Sequence, residues 1–406
     1  MPFDVGVCEF PMLALAAPRG QPGLRMEIAC DGRALVGPHT GVGTWTAQVM
    51  GGLARSGAGT VHLAASRPVE LSPELHHPAV RTIPPPDIPL PGTLWLHTVL
   101  PSVLANLPVD VFVASLAIVP RRCPVPAVAM VHDLTPRTHP GRHTLANRFC
   151  FNAYLEESLE QAAAVVVNSR ATGDEVLATF PGVGPRLRHI ALGVDPAFSP
   201  PTADDDGSTT RERFSCGRPY VLALGTIEPR KRIPILVSAW ERLVDADPEA
   251  PDLVIAGRTG WGARAIMSHI AASAFSDRIH VPGYVPRSAA VDLLRHAEVF
   301  ALVSEAEGFG LPLAEAICCG APCVASDVPA LREVGGEAAL FVPSGDSTAL
   351  ADALRRALEL AAATELRRLA AERAQAFAWQ PIVAAWRELL EDVVGRNSRR
   401  GQGSNT

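Results

Sequence analysis

Short runs of β-branched and apolar residues alternate along this chain with longer stretches in which apolar residues recur every three or four positions. The first pattern suits buried strands and the second suits helices packed against them by one face. The alternation predicts strands near 26–30, 60–64, 110–114, 127–131, 163–167 and 187–190, with helices between them, notably over 44–55, 143–161 and 171–179. From Pro196 to Arg218 the periodicity lapses into a Pro-, Ser- and Thr-rich stretch with three adjacent aspartates, Asp204 to Asp206. It then resumes, with strands near 220–224, 253–256, 279–281, 299–303 and 323–325, and helices over 233–245, 263–274, 288–297, 311–319, 349–376 and 382–394.

Repeated strand–helix units of this kind build parallel sheets covered on both faces. The expected fold class is α/β, with two doubly wound, Rossmann-like domains facing a central cleft. The expected boundaries are a flexible extension over 1–24, a first domain over 25–198, a linker over 199–218 and a second domain over 219–378. A helix over 379–396 crosses back to the first domain, and 397–406 forms a disordered tail. Met26 is an alternative start. Sheets of this class bind ligands beyond the carboxyl ends of their strands, so residues just after strands are the candidates for chemistry.

Composition narrows the function. The 406 residues are 48% hydrophobic and 19% charged, which excludes wholesale disorder. Lys and Arg total 36 against 42 Asp and Glu, a net charge of −6, which disfavours an electrostatic grip on nucleic acid. The eight cysteines form no CxxC pair and read as reduced thiols, and no apolar run approaches the length of a membrane span. A cytoplasmic enzyme is the expectation. The sequence carries no signal of oligomeric state.

The most informative segment runs from Ser304 to Asp327. It follows a predicted strand, opens a helix through Gly308-Phe309-Gly310 with Pro312 in the first turn, and ends that helix near Gly320. Free amides at such a helix start favour an anion such as a diphosphate. Glu307 stands before the loop and Glu315 is expected in the first turn, where carboxylates suit the hydroxyls of a sugar. Balancing positive charge follows the strand at 220–224, in Pro229-Arg230-Lys231-Arg232, where Arg and Lys suit a pyrophosphate.

In the first domain, Gly41-Val42-Gly43 lies in a loop before a helix. It lacks the third glycine of a dinucleotide fingerprint, so it reads as a phosphate-cradling or substrate-contacting loop. His132 ends the strand at 127–131, with Asp133 placed to orient its loop. His139 and His143 are four apart, but Pro140 and Gly141 break the helix a metal pair would need. Asp204 to Asp206 read as a solvated charge run.

With these motifs in order, the chain resembles retaining glycosyltransferases of family 4, which have the GT-B fold. The resemblance spans about residues 25–396 and rests on Leu224-Gly-Thr-Ile-Glu-Pro-Arg-Lys231, Leu253-Val-Ile-Ala-Gly-Arg-Thr-Gly-Trp261, Val281-Pro-Gly-Tyr-Val285, Glu307-Gly-Phe-Gly-Leu-Pro-Leu-Ala-Glu315 and Gly320-Ala-Pro-Cys-Val-Ala-Ser326. Thr40-Gly-Val-Gly-Thr44, Val131-His-Asp-Leu-Thr-Pro136 and Gly193-Val-Asp195 resemble a mannosyltransferase-B-like subgroup.

The resemblance implies that Glu307 contacts the donor sugar near the reacting centre and Glu315 the nucleotide ribose. Arg230 and Lys231 would hold the diphosphate, and the backbone of Phe309, Gly310 and Leu311 would meet sugar hydroxyls and phosphate. His132 would lie under the donor sugar, and Gly41, Val42 and Gly43 would line the acceptor side. Thr226 stands where relatives often have arginine, and Arg232 where the subgroup commonly has asparagine.

The implied reaction moves a sugar, mannose from GDP-mannose, to a hydroxyl of a saccharide or lipid-linked acceptor in polysaccharide assembly, with retention and without a metal or other cofactor. The clusters Arg121-Arg122 and Arg142–Arg148 would allow weak peripheral membrane contact. Alternatives are a nucleotide-sugar epimerase or glycogen-synthase-like enzyme on the same fold, a non-catalytic nucleotide-sugar-binding protein, and an NAD-linked oxidoreductase.

Overall fold

Residues 26–189 build one parallel sheet and residues 220–342 a second, so the lapse in periodicity falls between two sheets. The structure, a computed structural model, describes residues 25–37, 41–87, 90–138 and 145–403. Residues 1–24, His139, His143 and the side chains of 142–148 lie outside the described residues, and the readings made there lie outside with them.

The first sheet holds β1 (Met26–Asp31), β2 (Gly59–Ala64), β3 (Val80–Thr82), β4 (Val111–Ala114), β5 (Ala127–Val131), β6 (Ala164–Val167) and β7 (Leu187–His189), in the order β3-β2-β1-β4-β5-β6-β7. The second holds β8 (Tyr220–Leu224), β9 (Asp252–Ala256), β10 (Ile279–Gly283), β11 (Val299–Leu302), β12 (Cys323–Ser326) and β13 (Ala339–Val342), in the order β10-β9-β8-β11-β12-β13. In each sheet the order reverses beside its first strand, between β1 and β4 and between β8 and β11. The carboxyl ends of those strands open a crevice there. β3 and β13 escape the sequence pattern because both are short edge strands, and β3 is largely exposed.

Helices cover both faces of each sheet. In helix Ile233–Ala246, Leu236, Val237, Trp240, Leu243 and Val244 are buried, one stripe at helical spacing, with Pro234 tolerated in the first turn. Helix Gly41–Arg55 begins earlier than expected, so Gly41, Val42 and Gly43 form its first turn and are not a loop. The stretch read as a linker contains helix Ser208–Ser215, and Asp205 pairs there with His296 at 3.0 Å. The aspartates are therefore not a purely solvated run. The stretch 349–376 is two helices, Ser347–Leu358 and Leu360–Ala374, broken where Glu359 turns extended at ψ 129°.

The final helix, Trp379–Gly403, runs on through residues expected to fray. Buried Val393 and Val394 and the Arg396–Asp392 pair at 2.7 Å hold the turn that leads into them. The helix returns to the first sheet. A Cβ on Gly52 would lie 2.4 Å from Val383, and Trp45 meets buried Trp386 edge-on at 5.4 Å. Where the chain crosses back, it runs beside the earlier crossing: the Val194 amide donates to the Phe377 carbonyl at 2.9 Å, and a Cβ on Gly193 would strike Trp379 at 2.5 Å.

Candidate active site

The β11 strand delivers Ser304 and then Glu307 into the crevice beside β8. Lys231 Nζ donates to Glu307 Oε1 at 2.6 Å, Arg230 Nη1 lies 2.8 Å from Oε2, and Ser304 Oγ donates to Oε1 at 2.6 Å. The Glu307 side chain is only 10% exposed. Burial alone would push its carboxyl up. The charges of Lys231 and then Arg230, with hydrogen bonds from Lys231 and Ser304, outweigh burial and hold it at about 2. Arg230 also reaches Glu228 at 2.9 Å and the Ala306 carbonyl at 2.7 Å. The expected phosphate cations are thus tied to a carboxylate rather than standing free.

Arg232 turns out to sit in the left-handed region, at φ 48° and ψ 33°, directly before helix Ile233–Ala246. Asparagine tolerates that conformation far better than arginine, which accounts for the subgroup's usual residue. Here the position is held by an ion pair from Arg232 to Glu305 at 2.7 Å. Thr226 follows β8 and packs on Gly260, where a Cβ would lie 2.7 Å from its methyl.

Helix Leu311–Cys318 begins at Gly310, whose φ of 97° and contact with Leu331, 2.3 Å from a notional Cβ, leave room only for glycine. The Phe309 ring is buried and meets Phe377 edge-on at 6.4 Å, so this residue can offer the cleft its backbone but not its side chain. Glu315 is the fifth residue of the helix, in its second turn rather than its first. Burial pushes its carboxyl up to about 8, with Arg287 opposing and Asp195 adding to the rise. Asp195 is joined to Arg287 and, at 3.0 Å, to Gln48 of the first half.

On the facing side, His132 follows β5. Its Nε2 donates to the Ser115 carbonyl at 3.1 Å, and its ring meets Trp45 edge-on at 5.0 Å. Burial holds the ring down at about 4, against Asp133 and the Ser115 bond, so at neutral pH it is uncharged with Nδ1 as acceptor. Asp133 accepts from the Thr135 amide at 2.9 Å and orders the following turn. Gly41, at the start of its helix, looks across at Leu311, 3.9 Å from a notional Cβ.

The halves touch at Gly308. Its carbonyl accepts from Ser169 Oγ at 2.6 Å and Thr172 Oγ1 at 3.0 Å, and a Cβ there would lie 2.2 Å from the His132 carbonyl. Sequence reasoning assigned no role to Ser304, Ser169, Thr172 or Arg287. For Ser169 the signal was present, since Ser-Arg-Ala-Thr before an apolar periodic run marks a helix cap. An open cavity of about 570 Å³ lies elsewhere, lined by Ile83, Val99, Val103 and Leu107 among others, and carries no charged side chain.

Residues 39–198 match the family described as Glycosyltransferase Family 4, and residues 209–377 that described as Glycosyl transferases group 1. The chain is 28% identical over 233 residues to O-antigen chain mannosyltransferase B of Escherichia coli, covering 57% of this chain and 61% of the relative. It is 32% identical over 260 residues to a D-inositol 3-phosphate glycosyltransferase of Saccharomonospora viridis, covering 59% and 58%. The chain therefore matches less than two thirds of each relative. Among solved structures, sucrose-phosphate synthase from Thermosynechococcus elongatus superposes with a TM-score of 0.71 at 22% identity, covering 92% of this chain and 100% of the other. Anabaena HepE in complex with UDP-glucose gives 0.71 at 20%, covering 91% and 100%. Both share the fold of two facing parallel-sheet halves. The chain belongs to glycosyltransferase family 4, with the GT-B fold and a likeness to mannosyltransferase-B-like members.

Proposed function

We propose that this chain transfers a hexosyl group from a nucleoside diphosphate sugar to an acceptor hydroxyl, with retention at the anomeric carbon and without a metal ion. The observation that carries the reading is the Glu307–Lys231–Arg230 cluster at the mouth of β8 and β11, with the backbone of His132 packed against Gly308 from the facing half. Arg230, Lys231 and the amides opening helix Leu311–Cys318 supply positive potential for a diphosphate. Glu315 supplies a carboxyl for the ribose, and His132 Nδ1 an acceptor for a sugar hydroxyl.

Glu307, already engaged by two cations and a hydroxyl, is a poor nucleophile or base. Retention is then served best by the leaving group. As the bond from the anomeric carbon to the phosphate oxygen breaks, the acceptor oxygen bonds on the same face and its proton passes to the departing phosphate. The protein's part is positioning and charge stabilisation.

Mannose from GDP-mannose is the proposed donor, supported by the name of the E. coli relative, with a saccharide or lipid-linked acceptor. The name of the S. viridis relative supports a second reading of the acceptor as a phosphorylated cyclitol. The proposed location is cytoplasmic. Among the described residues no helix is long and apolar enough to cross a membrane. Arg121 is paired with Glu157 at 2.8 Å, which leaves that cluster little charge for lipid.

A thermal-shift panel of nucleotide sugars, followed by transfer assays with mannosides and D-inositol 3-phosphate, tests the reading. GDP-mannose should raise the melting point most, and transfer should persist in EDTA with the product keeping the donor's anomeric configuration. Preference for another sugar would replace the donor assignment. Loss of transfer in EDTA that magnesium or manganese restores would overturn the metal-free account.

A further inference from the structure

Gly308 separates Glu307 from the turn that opens helix Leu311–Cys318, so its position fixes the carboxylate on one side and the anion-facing amides on the other. Its own half fixes the residues on either side, Glu307 through Lys231, Arg230 and Ser304 and Gly310 through Leu331. Among the described residues, both recorded hydrogen bonds to its carbonyl come from the first half, from Ser169 Oγ at 2.6 Å and Thr172 Oγ1 at 3.0 Å. Two donors fill the two lone pairs of that carbonyl. Ser169 and Thr172 are themselves fully buried and mutually ordered, because the Thr172 amide donates to Ser169 Oγ at 3.0 Å as a helix cap. Within the first half, Asn168 Nδ2 donates to the His132 carbonyl at 3.1 Å, and across to the second half the Arg170 amide donates to Glu333 Oε2 at 2.7 Å. Glu333 lies on helix Pro329–Gly335, which also carries the Leu331 that packs on Gly310.

We propose that Ser169 and Thr172 are positioning residues for the transfer step: when the two halves are closed, their hydroxyls grip the Gly308 carbonyl and set the backbone that joins Glu307 to the helix-opening amides. The inference rests on the glycosyltransferase reading above. On this account the nucleotide can bind to the second half alone. Bond breaking waits for the grip from the first half, which brings the Gly308 backbone against His132 in the same movement. Hydrolysis of a donor bound without closure is thereby suppressed.

The test is the isosteric Thr172→Val, the conservative Thr172→Ser, and Ser169→Gly, which keeps most of the helix cap while removing the hydroxyl. Each is measured for kcat, for nucleoside diphosphate affinity by calorimetry, and for melting temperature. Thr172→Val and Ser169→Gly together should lower kcat about 10-fold or more while nucleoside diphosphate affinity stays within about 2-fold, and the single variant Thr172→Ser, which keeps both hydroxyls, should restore the wild-type rate. Wild-type kcat in the double variant would overturn the positioning role and leave the transferase reading intact. So would a rate loss matched by an equal loss of nucleotide affinity, or one that Thr172→Ser fails to restore. A wild-type chain that binds no nucleoside diphosphate and transfers no sugar overturns the underlying reading, and the positioning role with it.

Discussion

Replacing Glu307 by glutamine keeps the side-chain shape and removes the charge, so it imitates the protonated carboxyl and isolates what ionisation contributes. The carboxyl falls from an ordinary 4.5 to about 2 in the folded chain, which at about 1.4 kcal/mol per pH unit makes its ionised form worth about 3 kcal/mol of stability at neutral pH. Breaking a buried ion pair by removing one partner costs a similar amount, about 3–5 kcal/mol. Because the folded value is depressed, the contribution is complete above 4.5 and is lost as pH falls towards 2. Denaturant titrations at pH 7 and pH 3 should therefore show a gap of about 3 kcal/mol between wild type and Glu307→Gln that narrows on acidification. The same substitution leaves Lys231 and Arg230 without their carboxylate, so nucleoside diphosphate should bind more tightly, by about 1 kcal/mol, while transfer collapses. A pH-independent gap, no gap at all, or weaker nucleotide binding would refute the view that Glu307 is ionised chiefly by those two cations and competes with phosphate for them.

Glu315→Gln tests the opposite shift: a carboxyl raised to about 8 gives its stability below 4.5 and loses it as pH climbs to 8, so wild type should weaken between pH 5 and pH 9 more than the variant does. Equal slopes would contradict the buried, poorly compensated carboxyl. Glu315→Ala, which removes the carboxyl altogether, should weaken nucleotide binding by about 1–3 kcal/mol. His132→Gln should lower kcat without removing an inflection from the pH–rate profile near 6.5, because burial keeps the ring neutral down to about 4. An inflection there that vanishes in the variant would show a titrating ring. Gly308→Ala places a methyl 2.2 Å from the His132 carbonyl and should cut turnover about 100-fold with nucleotide affinity retained. Near-normal turnover would mean that the halves need not meet at that point.

Much of this was legible because parallel strands buried on both faces write themselves as short apolar runs, and because the residue after such a run is bound to face the crevice. Glu307, Lys231 and His132 were found by that rule. What linear pattern could not convey is which of them touch. Glu307 and Lys231 stand 76 positions apart, and only the packing of β11 beside β8 turns a free phosphate cation into a carboxylate's partner. The same holds for Ser169 and Gly308, 139 positions apart. The helix at Ser208–Ser215 was hidden because its eight residues bury little beyond Thr210, Phe214 and Ser215, too few to mark a period. Edge strand β3 was lost for a like reason.

The paired crossings at Val194 and Phe377 bear on how such enzymes can be recombined. Because helix Trp379–Gly403 seals Trp45 and Gly52 of the first half, the chain's sequence order and its structural partition disagree: the last segment belongs to the first unit. A graft that swaps everything beyond residue 199 to install another donor preference would replace this seal with a foreign one and strip the native complement from Trp45. A graft that exchanges only residues 199 to 376 leaves both crossings and the Trp45–Trp386 contact in place. The second half is in effect an insertion within the first, and chimeras built on that plan should stay soluble where simple head-to-tail fusions aggregate.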